Sequence, residues 1–192
     1  MKTDIILAGV GGQGILSIAA AIGLAAVDQK LYIKQAEVHG MSQRGGDVQS
    51  NLRLSDKEIA SDLIPLGGAD IILSIEPMEA LRYLPYLSKN GWVITNTIPF
   101  ININNYPETE QVIAELEKLP RCITIDADQI AKESGSPKSS NMVMLGAAAP
   151  FLGIPFESLE EAIRQLFGKK GNEIVEANLK ALRAGKALAE KK

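Results

Sequence analysis

The glycines near the amino terminus have the spacing of a phosphate-binding turn. The segment Gly9-Val-Gly-Gly-Gln-Gly14 contains the pattern G-x-G-x-x-G between an apolar run and an Ala-rich run. Glycine at these positions allows a tight turn, close approach of the backbone to a ligand, and close packing of helix on strand. Free N–H groups at the start of a helix attract an anion, usually a phosphate. We therefore predict a ligand-binding loop formed by Gly9, Gly11, Gly12, Gln13 and Gly14, the alternative being a turn that needs glycine only for packing.

A second polar loop is the most informative segment of the chain. The sequence Glu37-Val-His-Gly-Met-Ser-Gln-Arg-Gly-Gly46 holds an acid, the single histidine, an arginine and three glycines. If it follows a strand, its position at the carboxyl edge of an α/β sheet places it beside the first loop. The Arg44 guanidinium can bind a phosphate or carboxylate through two parallel hydrogen bonds. We predict ligand-binding roles for Glu37, His39, Gly40, Ser42, Gln43, Arg44 and Gly45, the alternative being an ordinary surface loop.

Two other kinds of nucleotide-binding site, the P-loop and the dinucleotide site, fit the first loop less well. A P-loop ATPase or GTPase needs Lys and Ser or Thr directly after the last glycine, and this chain has Ile15 and Leu16 there. A dinucleotide site needs an acid at the end of the second strand. Glu37, 23 residues after Gly14, keeps that interpretation open, although Gln13 is unusual in such a loop.

The single histidine has two interpretations. His39 can act as a general base near an acyl-transfer centre, with Glu37 orienting it. A structural or interface hydrogen bond is the interpretation that we favour, so no catalytic residue is assigned firmly. A serine hydrolase is disfavoured because Ser42 lacks the complete G-x-S-x-G turn.

Strands and helices alternate around these loops. Hydrophobic patterning predicts strands over residues 4–8, 31–38, 47–54, 69–75, 92–97 and 121–126. It predicts helices over residues 15–27, 76–87, 109–119, 127–133, 142–152, 158–167 and 172–191. Asn90-Gly91 is expected to end the second helix, and Ser158-Leu-Glu-Glu161 has capping-box spacing. The order predicts one domain over residues 1–192, a Rossmann-like three-layer α/β sandwich with a mostly parallel sheet.

Composition excludes several classes of protein. With 46% hydrophobic and 22% charged residues in 192, the chain has the profile of a folded soluble protein. A net charge of −3 disfavours general nucleic-acid binding. The longest apolar run, residues 142–153, is too short to span a membrane, and the start of the chain lacks a signal-peptide pattern, so we expect a cytoplasmic location.

The chain has one cysteine, Cys122, and one histidine. This count excludes an internal disulfide and a thiolate or imidazole zinc site. It also excludes an iron–sulfur cluster ligated by this chain alone, which needs about four thiolates. We therefore predict no metal site, and any electron carriers that the protein works with lie on another chain.

Together, the two loops resemble those of the gamma subunit or gamma domain of 2-oxoacid:ferredoxin oxidoreductases. The likeness extends over nearly the whole chain, including the predicted strands at 69–76 and 92–97 and the segment Asn141-Met-Val-Met-Leu-Gly146. Within that family the chain looks most like the small beta subunit of the indolepyruvate branch. The pyruvate and 2-oxoglutarate branches stay open.

The resemblance implies a reaction and a division of labour. A 2-oxo acid such as indolepyruvate is decarboxylated on thiamine diphosphate, its acyl group passes to coenzyme A, and two electrons reach ferredoxin through iron–sulfur clusters. Thiamine diphosphate, its Mg²⁺ and the clusters are expected on the partner alpha subunit. Gly46-Asp47 lacks the following Gly and the downstream Asn of a thiamine-diphosphate motif, which agrees with that division.

The role implied for this chain is assembly around the catalytic subunit and a contribution to the coenzyme A site. It would contact ferredoxin only indirectly and be inactive alone. The diphosphate of coenzyme A suits a glycine loop at a helix start, with charge supplied by Arg44. The alternatives are a stand-alone NAD- or flavin-dependent oxidoreductase and a non-enzymatic nucleotide-binding module.

Overall fold

The computed structural model describes residues 1–40 and 45–191, and a six-stranded sheet forms its centre. The strands are β1 (Lys2–Val10), β2 (Tyr32–His39), β3 (Asp47–Ser55), β4 (Ala69–Ser74), β5 (Leu87–Asn96) and β6 (Cys122–Ile125). They lie in the order β2-β3-β1-β4-β5-β6. The pairs β1–β4, β4–β5 and β5–β6 are parallel, whereas β3 is antiparallel to both β1 and β2.

The single reversed strand follows from a short connection. Only residues 40–46 separate β2 from β3, and a parallel crossover needs a dozen or more residues. β2 therefore runs in the same direction as β1, but β3 lies between them. The prediction of a mostly parallel sheet is confirmed. In the first strand–helix–strand unit, β1–α1–β2, the two strands are separated in the sheet by β3.

Helices cover both faces of the sheet. They are α1 (Ile15–Asp28), α2 (Pro77–Arg82), α3 (Thr109–Glu117), α4 (Ala127–Glu133), α5 (Ser140–Ala148), α6 (Phe156–Phe167) and α7 (Asn172–Ala189). Alternation along β1 separates two cores: Ile5 and Leu7 pack beneath α1 and α4–α7, whereas Ile6 and Ala8 pack beneath α2 and α3. The predicted three-layer α/β sandwich is confirmed.

Helices α5 and α7 lie so close that the backbone of one helix contacts the backbone of the other. A Cβ atom built on Gly146 would lie 1.9 Å from the Leu182 carbonyl oxygen. One built on Gly185 would lie 1.9 Å from the Val143 carbonyl oxygen. Since atoms cannot approach so closely, both positions require glycine. The apolar α5 is buried as its composition predicted.

Two boundary predictions are wrong. The helix predicted over residues 76–87 ends at Arg82, because Pro85 cannot continue it, and a 3₁₀ turn follows over Leu84–Tyr86. The predicted helix stop at Asn90-Gly91 lies within β5 instead. A Cβ atom on Gly91 would meet the Ala69 carbonyl oxygen at 2.8 Å, so glycine there permits close approach of β4 where the strand register shifts.

The predicted capping box is also wrong. Helix α6 starts two residues earlier, after Pro155, and has no side-chain cap. The Ser158 hydroxyl instead accepts a hydrogen bond from Gln29 Nε2 at 2.9 Å, which links α6 to the end of α1. The local sequence spacing predicted that the Ser158 hydroxyl caps the helix, but this hydroxyl makes a tertiary hydrogen bond with Gln29 instead.

Candidate functional site

The two glycine segments meet at the carboxyl edge of the sheet and hydrogen-bond to each other. The Gly11 N–H donates to the Gly46 carbonyl at 2.8 Å, and the Gly45 N–H donates to the Gly11 carbonyl at 3.3 Å. The first segment ends at Gly14, which has a left-handed conformation (φ 84°) and precedes α1. This helix has neither a side-chain cap nor an acidic residue in its first turn. The paired backbones therefore leave the positive end of α1 open to an anion.

Gly9 and Gln13 shape the turn. The Gln13 side chain folds back, and its Oε1 accepts the Val10 N–H at 2.7 Å. The Gln13 N–H donates to the Val10 carbonyl at 3.1 Å. A Cβ atom on Gly9 would lie 2.9 Å from both Gln13 Oε1 and Ile15 Cδ1, so glycine leaves room for this fold-back. The amide that looked unusual for a dinucleotide loop thus closes the turn.

A cleft of about 390 Å³ lies in front of the turn, and we call it the glycine cleft. It is lined by Val10, Gly11, Gly12, Gly14, Ile15, Leu16, Glu37, His39 and Val48. Two segments far apart in sequence therefore form one concave surface, as the second-loop interpretation predicted. Its volume falls in the range of small-molecule sites.

Glu37 and His39 both line the glycine cleft, but their side chains have different surroundings. The Glu37 Oε2 atom is buried, and it has no hydrogen-bond partner among the residues that the structure describes. His39 is exposed, and its Nδ1 lies 2.9 Å from the carbonyl oxygen of neighbouring Gly40. Within the described part of the chain, no hydrogen bond joins the Glu37 carboxylate to the His39 ring. The arrangement provides no oriented general base of the kind considered for His39.

The remaining predicted site residues divide into two groups. Gly40 is exposed, and Gly45 is left-handed (φ 79°), with its carbonyl accepting a hydrogen bond from Asn102 Nδ2. Ser42, Gln43 and Arg44 lie outside the described residues.

A second group of polar residues, centred on Glu76, lies beside the loops at the carboxyl end of β4. Glu76 is 1% exposed; its Oε2 accepts the Glu79 N–H at 2.9 Å, which caps α2. Its Oε1 accepts the Phe100 N–H at 3.3 Å and the Tyr106 hydroxyl. The Asn-rich segment around residues 98–107 is therefore tied to Glu76 across the sheet edge. Nothing in its composition indicated a partner 30 residues away.

A smaller cleft of about 250 Å³ lies among these residues and Gly45. Burial raises the pKa of the Glu79 carboxyl above its ordinary value, although Arg82 Nε lies only 2.8 Å away. Burial and the hydrogen bond to Glu76 raise the pKa of the Tyr106 hydroxyl. Both groups are therefore uncharged over a wider pH range than free side chains, and they give the rim of this cleft a network of hydrogen bonds.

Across residues 1–40 and 45–191 the structure contains no group of three or more His, Cys, Asp or Glu side chains that could hold a metal ion. Among the helices of this same part of the chain, none combines the length and apolar composition that a bilayer span requires.

The sequence matches one protein family over almost its full length. The family described as "Pyruvate ferredoxin/flavodoxin oxidoreductase" matches residues 4–188. An indolepyruvate oxidoreductase subunit IorB from Archaeoglobus fulgidus is 42% identical, over 96% of this chain and 94% of the relative. The equivalent subunit from Methanothermobacter thermautotrophicus is 38% identical, over 96% of each chain. A common gamma subunit of pyruvate/ketoisovalerate oxidoreductases from Pyrococcus furiosus is 30% identical, over 91% of this chain and 90% of the relative.

Solved structures show the same fold. The 2-oxoglutarate:ferredoxin oxidoreductase from Magnetococcus marinus, with 2-oxoglutarate, coenzyme A and succinyl-CoA bound, superimposes with a TM-score of 0.78 at 25% identity. That superposition covers all of this chain and 31% of the Magnetococcus chain. A keto/oxoacid ferredoxin oxidoreductase gamma subunit from Geobacter sulfurreducens gives a TM-score of 0.73 at 22% identity, over 99% of both chains.

Proposed function

The chain belongs to the pyruvate ferredoxin/flavodoxin oxidoreductase family, and from that premise we propose that it is the small subunit of a 2-oxoacid:ferredoxin oxidoreductase acting on indolepyruvate. The observation that carries the proposal is similarity along almost the entire length to separate indolepyruvate oxidoreductase subunits. Four such relatives are 36–42% identical, and each alignment covers at least 93% of the relative. The sheet shared by both cores supports treating residues 1–192 as one gamma-type domain.

In the proposed reaction, indolepyruvate and coenzyme A react with two oxidised ferredoxins. The products are the acyl-CoA, carbon dioxide, two reduced ferredoxins and one proton. The bond to the carboxylate carbon breaks, a thioester bond forms, and two electrons leave the substrate carbon. With one cysteine in the chain, we assign the iron–sulfur clusters to the alpha subunit, together with thiamine diphosphate and its Mg²⁺, which supply the decarboxylation chemistry. We place the enzyme in the cytoplasm because coenzyme A and ferredoxin are intracellular reactants.

This chain's own contribution is a binding surface. We propose that the glycine cleft holds the diphosphate of coenzyme A against backbone N–H groups at the start of α1. The open helix end and the left-handed Gly12 and Gly14 support this assignment. The Gly45 N–H supports the first loop by donating a hydrogen bond to the Gly11 carbonyl. Arg44, on sequence grounds, would add positive charge.

The first test is purification of the chain from its native host. We expect it to emerge with a larger subunit that carries iron, sulfide and thiamine diphosphate, and we expect ferredoxin reduction to require both indolepyruvate and coenzyme A. Pyruvate and 2-oxoglutarate are the control substrates and should give a lower kcat/KM. A chain that purifies alone and reduces NAD or a flavin would contradict the proposal. It would favour a stand-alone dinucleotide enzyme, which is consistent with an acid at the position of Glu37.

The coenzyme A assignment has its own test in the assembled enzyme. Arg44→Ala should raise the KM for coenzyme A about tenfold, because an Arg–phosphate contact is lost, while the KM for indolepyruvate stays unchanged. Arg164→Ala, on the exposed side of α6, is the matched control. Equal values of KM for coenzyme A in wild type and Arg44→Ala would remove Arg44 from the site.

A further inference from the structure

The outer side of helix α1 is apolar and exposed. Residues 15–27 include no charged side chain. Leu16 is 61% exposed and Val27 is 60% exposed, and Ala20 between them is exposed as well. Their three- and four-residue spacing, together with two half-buried neighbours, places them on one side of the helix. We call this surface the α1 face, and it consists of Leu16, Ala20, Gly23, Leu24 and Val27.

Helix α6 lies beside α1 on the same side of the sheet, and its outer surface has the opposite character. The exposed residues of α6 are Glu157, Glu161, Arg164 and Gln165. A helix at a protein surface buries an apolar stripe and turns its polar side to water, as α6 does. A helix that is apolar on all sides, as α1 is, has the composition of one that is covered on all sides. We therefore expect another protein surface to cover the α1 face.

The α1 face begins at the glycine cleft. Leu16 lines that cleft, and Val27 lies about 16 Å farther along the helix axis. A protein that covers the whole face would therefore also lie at the rim of the cleft. Beyond Val27 the exposed residues are Asp28, Gln29 and Lys30. An apolar centre with a polar rim is typical of protein–protein interfaces.

The lengths of the relatives indicate which protein covers this face. The superposition with the Magnetococcus enzyme covers all of this chain but 31% of the Magnetococcus chain, so the equivalent domain there is one part of a longer polypeptide. The four indolepyruvate oxidoreductase subunits match over at least 93% of their own length, so each is a separate chain of this size. A domain of a longer polypeptide packs against its neighbouring domains. A separate subunit makes the corresponding contact with another chain.

We propose that the α1 face is the docking surface for the alpha subunit that carries thiamine diphosphate. The inference rests on the proposed function, which assigns the decarboxylation chemistry to that subunit. Docking on this face brings the alpha subunit to the rim of the glycine cleft, where we place coenzyme A. Transfer of an acyl group from one subunit to a thiol held by the other requires this proximity.

The test is assembly of the two subunits with Ala20→Glu, Val27→Glu or both changes in this chain. Each substitution places a carboxylate within the proposed interface, where it loses water without gaining a partner. Each single change should raise the Kd of assembly about tenfold and the double change about 100-fold, as measured by sedimentation velocity. Ala114→Glu is the matched control, because it makes the same change at an exposed position of α3 on the other face of the sheet. It should assemble like wild type.

Two further measurements separate docking from folding and from catalysis. Since Ala20 and Val27 are exposed in the chain by itself, the variants should unfold at the same denaturant concentration as wild type. Leu16 is unchanged in these variants, so the lining of the cleft is retained. The concentration of this chain that gives half-maximal ferredoxin reduction should rise by the same factors as the Kd, with kcat at saturation unchanged. A lower kcat at saturation with an unchanged Kd would overturn the inference.

Two assembly results would also overturn it. One is a double variant that binds the alpha subunit with the Kd of wild type. The other is self-association of the wild-type chain that the variants abolish while they still bind the alpha subunit normally, since the α1 face would then join two copies of this chain. A wild-type chain that binds no thiamine-carrying subunit would refute the proposed function and the inference with it. The wild-type measurement thus distinguishes that result from a failure of the α1 face alone.

Discussion

Glycine serves opposite purposes in two regions of this molecule. In the α5–α7 contact, a Cβ atom on Gly146 or Gly185 would lie 1.9 Å from a carbonyl oxygen of the other helix. In the glycine cleft, a Cβ atom on Gly12 would meet no described residue within 4 Å, yet the φ of Gly12 is +104°. The helix pair needs glycine because its space is filled, and the loop needs glycine because its backbone is left-handed. Of these two regions, the loop is the one in which described residues leave space in front of the glycine.

This difference bears on function. A packing glycine is explained once its neighbour is found, and nothing more is required of it. The backbone at Gly12 adopts a conformation that is costly for other residues and faces an open cleft. Such a conformation, next to an uncapped helix, is what a backbone needs in order to approach a ligand closely.

The largest expected effect is on the helix pair. Gly146→Ala should lower the free energy of unfolding by about 3 kcal/mol or more, because a methyl group would force two helix backbones apart. Denaturant unfolding of the purified protein measures this change. Gly168→Ala, whose Cβ would meet nothing within 4 Å, is the control and should change stability by less than about 0.5 kcal/mol. If Gly146→Ala costs no more than this control, the helices can separate freely and the contrast with the loop disappears.

A smaller effect on stability, coupled to an effect on binding, is expected in the loop. Gly12→Ala should cost about 1–2 kcal/mol, because alanine is strained at positive φ. Gly135→Ala is a matched control: this glycine also has positive φ (+82°) and open space, but lies after α4, away from the cleft. Both variants should lose similar stability, whereas only Gly12→Ala should raise the KM for coenzyme A, by about tenfold. Equal KM values in the two variants would make Gly12 a structural turn residue and nothing more.

The sequence alone could predict the loop of this comparison far better than the helix pair. The G-x-G-x-x-G spacing depends on residues 9–14, and helix α1 begins at Ile15 as expected. Family resemblance followed from the two loops and is confirmed by the match over residues 4–188. Gly146 and Gly185 carry no such local signal, because their need for glycine comes from packing between helices almost 40 residues apart.

Errors in the sequence prediction have the same origin. Asn90-Gly91 looks the same whether glycine ends a helix or allows a neighbouring strand to come close, and the contact with Ala69 decides between them. The hydroxyl of Ser158 is taken by Gln29, and the carboxylate of Glu76 holds Tyr106 across the sheet edge. Local patterns predict what a residue can do, but long-range contacts select which of these roles it has.

The smallest effect tests whether one predicted ligand residue of the loop contacts the ligand at all. Gln13 does not line the glycine cleft, and its Oε1 accepts the Val10 N–H. Gln13→Met should therefore lower the free energy of unfolding by about 1 kcal/mol through one lost hydrogen bond. Gln13→Glu keeps an acceptor oxygen and should lose less. The KM for coenzyme A in Gln13→Met should stay within about twofold of wild type, since a shift of this size corresponds to less than about 0.5 kcal/mol. If Gln13→Met instead raises this KM as much as Gly12→Ala does and leaves stability unchanged, Gln13 contacts the ligand. The distinction between residues that shape the loop and residues that face the cleft would then be wrong.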